Sequence, residues 1–197
     1  IQISDTITIT QPDELIVMGS ITDVLCHGAQ TGAISTHVSG GTGDYTYIWS
    51  SGQDTPTISN VYKGTYSVTI IDANNCSVTE SYTINEPQAA LRISNSIITK
   101  PLGFGFSNGS IDITVLGGVT SYSYIWYDAN NMVLPEPSSI LSNILAGTYK
   151  VEVTDAHNCS IEQTFIVTEP PLLEVTISDI PINCQGETGS LVASASG

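Results

Sequence analysis

Gly64-Thr65-Tyr66-Ser67-Val68-Thr69-Ile70-Ile71-Asp72-Ala73-Asn74-Asn75-Cys76-Ser77 returns later in the chain as Gly147-Thr148-Tyr149-Lys150-Val151-Glu152-Val153-Thr154-Asp155-Ala156-His157-Asn158-Cys159-Ser160. In the first copy Tyr66, Val68 and Ile70 alternate with polar residues, and Tyr149, Val151 and Val153 do so in the second. That is the two-residue period of a half-buried strand. The Asp-Ala that follows, with Asn74-Asn75 or His157-Asn158, stands between two alternating runs and reads as a hairpin turn, because Asn tolerates the positive φ that tight turns demand. Gly-Thr-Tyr to Cys-Ser is therefore strand, turn, strand, and the sequence is built from repeats.

Outward from this stretch, Tyr45-Thr46-Tyr47-Ile48-Trp49 returns as Tyr122-Ser123-Tyr124-Ile125-Trp126, with a longer segment between Trp and Gly-Thr-Tyr in the second copy. Pro12, Pro87 and Pro170, following Gln11, Glu86 and Glu169, mark the seams. The expected organisation is 1–12 as the last strand of a preceding repeat, complete repeats at 13–87 and 88–170, and 171–197 as the first strands of a following one. Gly40-Gly41 and Gly117-Gly118 punctuate the strands, and no stretch carries a helical stripe. In the second repeat a turn over Asp128 to Asn131, an apolar run from Met132 to Leu134 and another from Ile140 to Ile144 bring the strand count to seven. Seven is the number of an immunoglobulin-type or fibronectin-type sandwich. The expected fold is all-β: tandem immunoglobulin-like (fibronectin/PKD-like) seven-stranded β-sandwich repeats arranged end to end. Trp49 and Trp126 on the third strand, and Tyr66 and Tyr149 opening the sixth, fall where such sandwiches place a core Trp and a tyrosine corner, and are the candidate structural core. An odd strand count puts the two ends of a unit at opposite poles, so units join nose to tail. A Pro at each seam stiffens the joint and blunts the strand edge.

Composition excludes several roles. Among 197 residues, Lys and Arg number 4 against 19 Asp and Glu, for a net charge of −15. Lys63, Arg92, Lys100 and Lys150 cannot neutralise a phosphate backbone, so no nucleic-acid partner is expected. Attraction to anionic lipid fails likewise. With 41 % hydrophobic residues the chain can bury a core. No run approaches the roughly 18 to 20 apolar residues of a membrane span, so direct membrane insertion is not expected. The first residues do not read as a signal peptide, and Ile1 opens inside a polar/apolar alternation, so the sequence reads as a piece of something longer.

At Cys26, Gly32, Gly40-Gly41-Thr42, Tyr45 to Gly52, Gly64 to Cys76 and Glu86-Pro87, the chain resembles the SprB-repeat family of Bacteroidetes surface proteins. The second repeat departs from that pattern. Counted from the seam, it places Pro101 where the Cys would be, while the last repeat keeps Cys184. Membership implies a very long, exported cell-surface filament, the gliding-motility adhesin of flavobacteria and its relatives. Such a filament is secreted by the type nine system and driven by a motor in the envelope.

Cysteines in an exported β-protein are normally cystines. Two pairings compete. Within a repeat, Cys26 would join Cys76, which leaves Cys159 without a partner. The strand count opposes this. Cys26 closes the first strand and Cys76 follows the turn after the sixth, at opposite ends of a unit. Tyr66 to Asp72 alone spans about 20 Å at roughly 3.3 Å per residue, whereas a disulfide needs Cα atoms within about 7 Å. Nose-to-tail stacking instead favours an inter-repeat bond between Cys26 and Cys159, with Cys76 and Cys184 paired to repeats outside this sequence. Such a bond closes a loop of over a hundred residues, worth about 4 kcal/mol in the chain-entropy model.

Catalytic chemistry finds little support. His27, His37 and His157 fall in a turn, a strand and a hairpin tip, without the short spacing of a zinc site. No nucleophile elbow, phosphate loop or HExxH occurs, and Gly103-Phe104-Gly105-Phe106 is a turn variant. No enzyme activity and no cofactor is expected. Calcium is the alternative at Glu86 and Asp155, if the tip at Asp155 lies near the seam of the preceding repeat, as in cadherin-like junctions. The competing reading is that Asp-Ala-Asn-Asn is turn chemistry. Tyr45, Tyr47 and Trp49, like Tyr122, Tyr124 and Trp126, share one strand face. They are expected in the core of a mid-sheet strand, with sugar stacking the alternative. Sequons at Asn75, Asn108 and Asn158 fit turns equally well.

The expected function is the structural shaft of a cell-surface adhesin filament used in gliding motility and attachment, transmitting force through stacked repeats. The alternative is a spacer or carbohydrate-binding region of a secreted multidomain hydrolase. Expected partners are neighbouring repeats of the same chain, the gliding and secretion machinery of the envelope, and surface polysaccharide or other envelope proteins.

Overall fold

The computed structural model describes residue 7 and residues 9–180, 185–186 and 188–197. The expected strand at 1–12 lies largely outside these residues and Cys184 entirely so. The chain divides into two compact units, Ile1–Ala90 and Leu91–Gly197.

The first unit holds β1 (Ile16–Thr22), β2 (Gly32–Ser39), β3 (Thr46–Trp49), β4 (Thr57–Val61), β5 (Gly64–Ile71) and β6 (Ser77–Ile84). They form two antiparallel sheets, ordered β1-β2-β4 and β3-β5-β6. The second unit holds β7 (Arg92–Thr99), β8 (Gly109–Leu116), β9 (Ser123–Tyr127), β10 (Val133–Leu134), β11 (Ile140–Ile144), β12 (Gly147–Thr154) and β13 (Ser160–Val167), in sheets ordered β11-β8-β7 and β10-β9-β12-β13. This is the strand exchange of an immunoglobulin-like sandwich: first, second and fifth strands in one sheet, third, sixth and seventh in the other. β14 (Glu174–Ile180) and β15 (Ser190–Ser196) pair as a further antiparallel hairpin.

Among the described residues the sandwich of the second unit has seven strands and that of the first has six, and the loop after the Trp decides this. In the first unit Gly52 N donates to Trp49 O (2.9 Å) and Trp49 N to Gln53 O (3.1 Å), closing a turn directly on the strand end. In the second, Asp128 Oδ1 accepts from Asn130 N (2.8 Å) and Met132 N (2.9 Å), folding the chain back so that Val133 and Leu134 pair with Tyr127 and Trp126. The Trp strand is consequently interior in the second unit (β9) but a sheet edge in the first (β3), where a mid-sheet position was expected.

Each core is filled by the inward residues of both sheets. Ile34, Trp49, Ile58, Val61, Val68, Ile70 and Ile84, with Val24, close the first. Ile111, Ile113, Trp126, Leu141, Ile144, Val151, Val153, Phe165 and Val167 close the second. In β4 and β11 the two buried residues stand three apart, Ile58 with Val61 and Leu141 with Ile144, which a regular pleat would send to opposite faces. A bulge resolves the conflict. Asn60 and Asn143 adopt φ of 55° and 57°, and the β11–β8 register shifts between Ser142 and Ile144.

Candidate functional site

The chemistry-bearing residues gather at the two poles of each unit, and the same devices recur in both. At the entrance pole of the first unit, Gly41 N donates to Asp13 O (2.8 Å), holding the incoming chain against the turn between β2 and β3. That turn needs glycine: Gly40 and Gly41 have φ of 74° and 64°, and a Cβ on Gly40 would collide with the Glu14 carbonyl. Across from it, the β5–β6 hairpin is organised by Asp72. Its Oδ1 accepts from Asn74 N (2.9 Å) and Cys76 N (2.8 Å), and its Oδ2 from Thr42 N (3.0 Å). The second unit repeats this with Asp155, which accepts from His157 N (2.8 Å), Cys159 N (2.9 Å) and Val119 N (2.9 Å). There the incoming chain is Leu91, buried beside Gly118 and Asp155. Asp72 and Asp155 are 4 % and 5 % exposed. Burial opposes their charge, but the three amides aimed at each outweigh it and hold both carboxyls below the usual range.

At the exit pole of the first unit the chain leaves through Glu86-Pro87, and the carboxylate of Glu86 locks the turn that follows β1. Glu86 Oε2 accepts from Gly28 N (2.7 Å), while Oε1 meets the Lys63 ammonium and lies 3.1 Å from His27 Nδ1. The Lys63 contact and the Gly28 amide hold this carboxyl below its usual value. His27 Nδ1 also lies 2.8 Å from Pro87 O, and Val24 N donates to Asn85 O (2.9 Å). In the second unit Glu169 Oε2 accepts from Gly105 N (2.7 Å).

These bonds align the repeats more closely than counting from the seam. Gly105 answers to Gly28, and Leu102 N donates to Asn108 Oδ1 as Leu25 N does to Thr31 Oγ1. Phe106 N donates to Gly103 O as Ala29 N does to Cys26 O. The residue standing in for Cys26 is therefore Gly103, not Pro101. Pro101 answers to Val24, and both are fully buried.

Cys26 and Cys159 are each half-cystines, whereas Cys76 is a free, exposed thiol. The alternative Cys26–Cys76 bond is thereby corrected. The first strand ends at Thr22, so Cys26 lies in the turn beyond it, at the exit pole that Glu86 closes. Cys76 follows the hairpin at the entrance pole, where its amide caps Asp72. β6 (Ser77–Ile84) runs the height of the unit from one pole to the other.

Trp49 and Trp126 lie in the cores, each indole N–H donating to a loop carbonyl, Thr55 O and Ser138 O respectively (both 2.9 Å). Tyr66 and Tyr149 are half-buried at the core margin, and their hydroxyls donate to the carbonyls of Tyr62 (3.0 Å) and Leu145 (3.1 Å). Tyr45 and Tyr122 bind the carbonyls of Gly40 and Gly117, and with Tyr47 and Tyr124 they pack on the cores. The aromatic ladders are thus spent on packing. Glu86 and Asp155, the calcium candidates, both have their oxygens facing N–H donors. Among the described residues no group of three or more His, Cys, Asp or Glu is placed to hold a metal. No helix among them is long and apolar enough to cross a membrane. The Glu lock escaped the sequence reading, since its partners stand 58 and 64 residues apart; the signal was Glu-Pro recurring with Cys-His-Gly and Gly-Phe-Gly.

The family model of the SprB repeat matches residues 18–54 and 97–131, each match running from the first strand past the Trp. No curated protein matches the chain. Among solved structures, the three N-terminal domains of the bacteriophage RB49 highly immunogenic outer capsid protein (Hoc) are similar at TM-score 0.44 and 15 % identity, covering 92 % of this chain and 68 % of that one. The N-terminal eight Ig domains of Down syndrome cell adhesion molecule (DSCAM) isoform 1.30.30 give 0.43 and 14 %, over 81 % and 25 % of the two chains. DIP-gamma IG1+IG2 gives 0.39 and 10 %, over 80 % and 98 %. At such scores the fold assignment rests on the strand pairing above.

Proposed function

This chain carries the SprB repeat twice, and on that premise we propose that it is a non-catalytic segment of the shaft of a cell-surface adhesin. The shaft belongs to a gliding and attachment filament of the Bacteroidetes type, exported by the type nine system, and it carries tension from an adhesive tip to the cell envelope. Its partners are the neighbouring repeats of the same chain and the envelope machinery that exports and moves it.

One observation supports this most. Within each unit the chain enters at one pole, at Asp13 or Leu91, and leaves at the other, at Glu86 or Glu169. A sandwich threaded this way is loaded along its strands, so tension meets many interstrand hydrogen bonds at once. The net charge of −15 discourages neighbouring shafts from adhering to each other.

Antibody raised against this chain tests the proposal on intact cells of the source organism. The expected result is surface labelling that external protease removes, with loss of attachment and gliding when the gene is deleted. Labelling only after permeabilisation, or deletion that leaves both behaviours intact, would overturn it.

A further inference from the structure

The second unit carries a groove that has no counterpart among the described residues of the first. Asp128 folds the chain back after the Trp strand, Val133 and Leu134 pair with β9, and Pro135 to Pro137 continue from them. Between this returning segment and the strand lies a groove of about 370 Å³, walled by Tyr124, Tyr127, Leu134, Pro135 and Pro137, with Glu136 among them. In the first unit the Gly52 turn closes directly on Trp49 and β3 stays a sheet edge, so the wall is missing. We propose that this groove docks an arginine side chain presented by a partner protein.

Charge selects the occupant. Glu136 is half-buried, and among the described residues it has neither a hydrogen-bond nor an ion-pair partner. The unit's own cations are placed elsewhere. Lys150 bonds Glu162 at 3.1 Å and stands 4.6 Å from the centre of the Tyr127 ring. Arg92 opens β7 and Lys100 follows that strand, which belongs to the opposite sheet. A carboxylate drawn partly out of water beside apolar walls gains from a cation that fills the space next to it.

Arginine fits these walls better than the other occupants. Its stem lies on Leu134 and the prolines, its planar head stacks on a tyrosine ring, and the same head meets a carboxylate through two N–H donors. A neutral sugar would set its hydroxyls against apolar walls with few partners, since the Tyr127 hydroxyl already donates to Glu152 Oε2 (3.2 Å). A strand added at the β10 edge would find two residues and then Pro135, which lacks an N–H. Recognition is therefore by side chain. A second copy of this chain is a poor partner, because it brings 19 acidic residues and one arginine, Arg92. The occupant is a basic protein that attaches to one repeat and passes over the other. The groove belongs to one unit, so its failure to bind leaves the shaft reading standing, and the reverse.

Titration of the intact, isotope-labelled chain, followed by amide NMR, tests the docking. The probe is acetyl-Pro-Leu-Arg-Pro-Leu-amide, and its control carries citrulline, the uncharged isostere, in place of arginine. Saturable shifts are expected at Tyr124, Tyr127, Leu134 and Glu136, and none at Tyr47 and Ile48 of the first unit. Binding should weaken at least about tenfold in Glu136→Gln, and as much for the citrulline peptide. Shifts absent at millimolar peptide, affinity unchanged by either substitution, or the same amides moved by cellohexaose instead of the peptide would overturn it. If Glu136→Gln does not fold, the two peptides on the wild type decide the matter by themselves.

Discussion

Asn143 holds φ of 57° inside a strand, and Asn60 does the same at 55° in the first unit. A left-handed residue there lets Leu141 and Ile144 both face the core. A side chain without Asn's local hydrogen bonding costs roughly 1–2 kcal/mol in that region, and glycine costs little. Asn143→Ala is therefore expected to lose about 1 kcal/mol and Asn143→Gly to remain near wild type, measured by urea unfolding. The turn asparagines, Asn75 and Asn158, were legible because they sit between two alternating runs; both have positive φ, 59° and 62°. The bulge asparagines were not, because a polar residue in an exposed strand position looks the same whether the pleat is regular or broken. Among the described residues three carboxylates carry the acid dependence. Asp72, Asp155 and Glu86 are all held below the ordinary range. Each thus contributes stability above about pH 4, the unfolded value, and withdraws it as pH falls through its lower folded value. The urea midpoint should be flat from pH 7 to about 4.5 and fall below it, and Asp155→Asn should weaken that acid dependence. A midpoint that rises on acidification contradicts the assignment.

At the scale of elements, the six-to-seven difference between the units comes from one loop. Asp128 turns the chain back to add β10, while the Gly52 turn leaves no residues for it. The sequence announced the added strand by its extra length and its Met132-Val133-Leu134 run. The periodicity of β5 and β12 and the place of the Trp were equally plain, since alternation reports directly on which face is buried. The exit pole was misaligned because counting from a proline assumes equal spacing, and the hydrogen bonds to Glu86 and Glu169 show where the turns correspond. The Trp strands test the packing. Trp126 is fully buried against Phe165, with ring centroids 6.1 Å apart. Trp126→Ala is expected to cost about 3–5 kcal/mol through lost burial and a residual cavity. Trp126→Phe costs less but orphans the Ser138 carbonyl. Calorimetry of both variants checks the order; equal melting of the two would contradict it.

At the scale of the whole molecule, the reading turns on sandwiches each threaded from pole to pole. The repeat made the fold legible, because each copy states the same alternation, turn and Trp independently. The pole at which each cysteine falls was less so, since that follows only once strand order is known. Pulling the chain by its two ends in the presence of reductant tests the account most directly. Two unfolding steps are expected, each releasing roughly 20–25 nm for a repeat of this length. A single step, or steps well short of that length, would contradict the account.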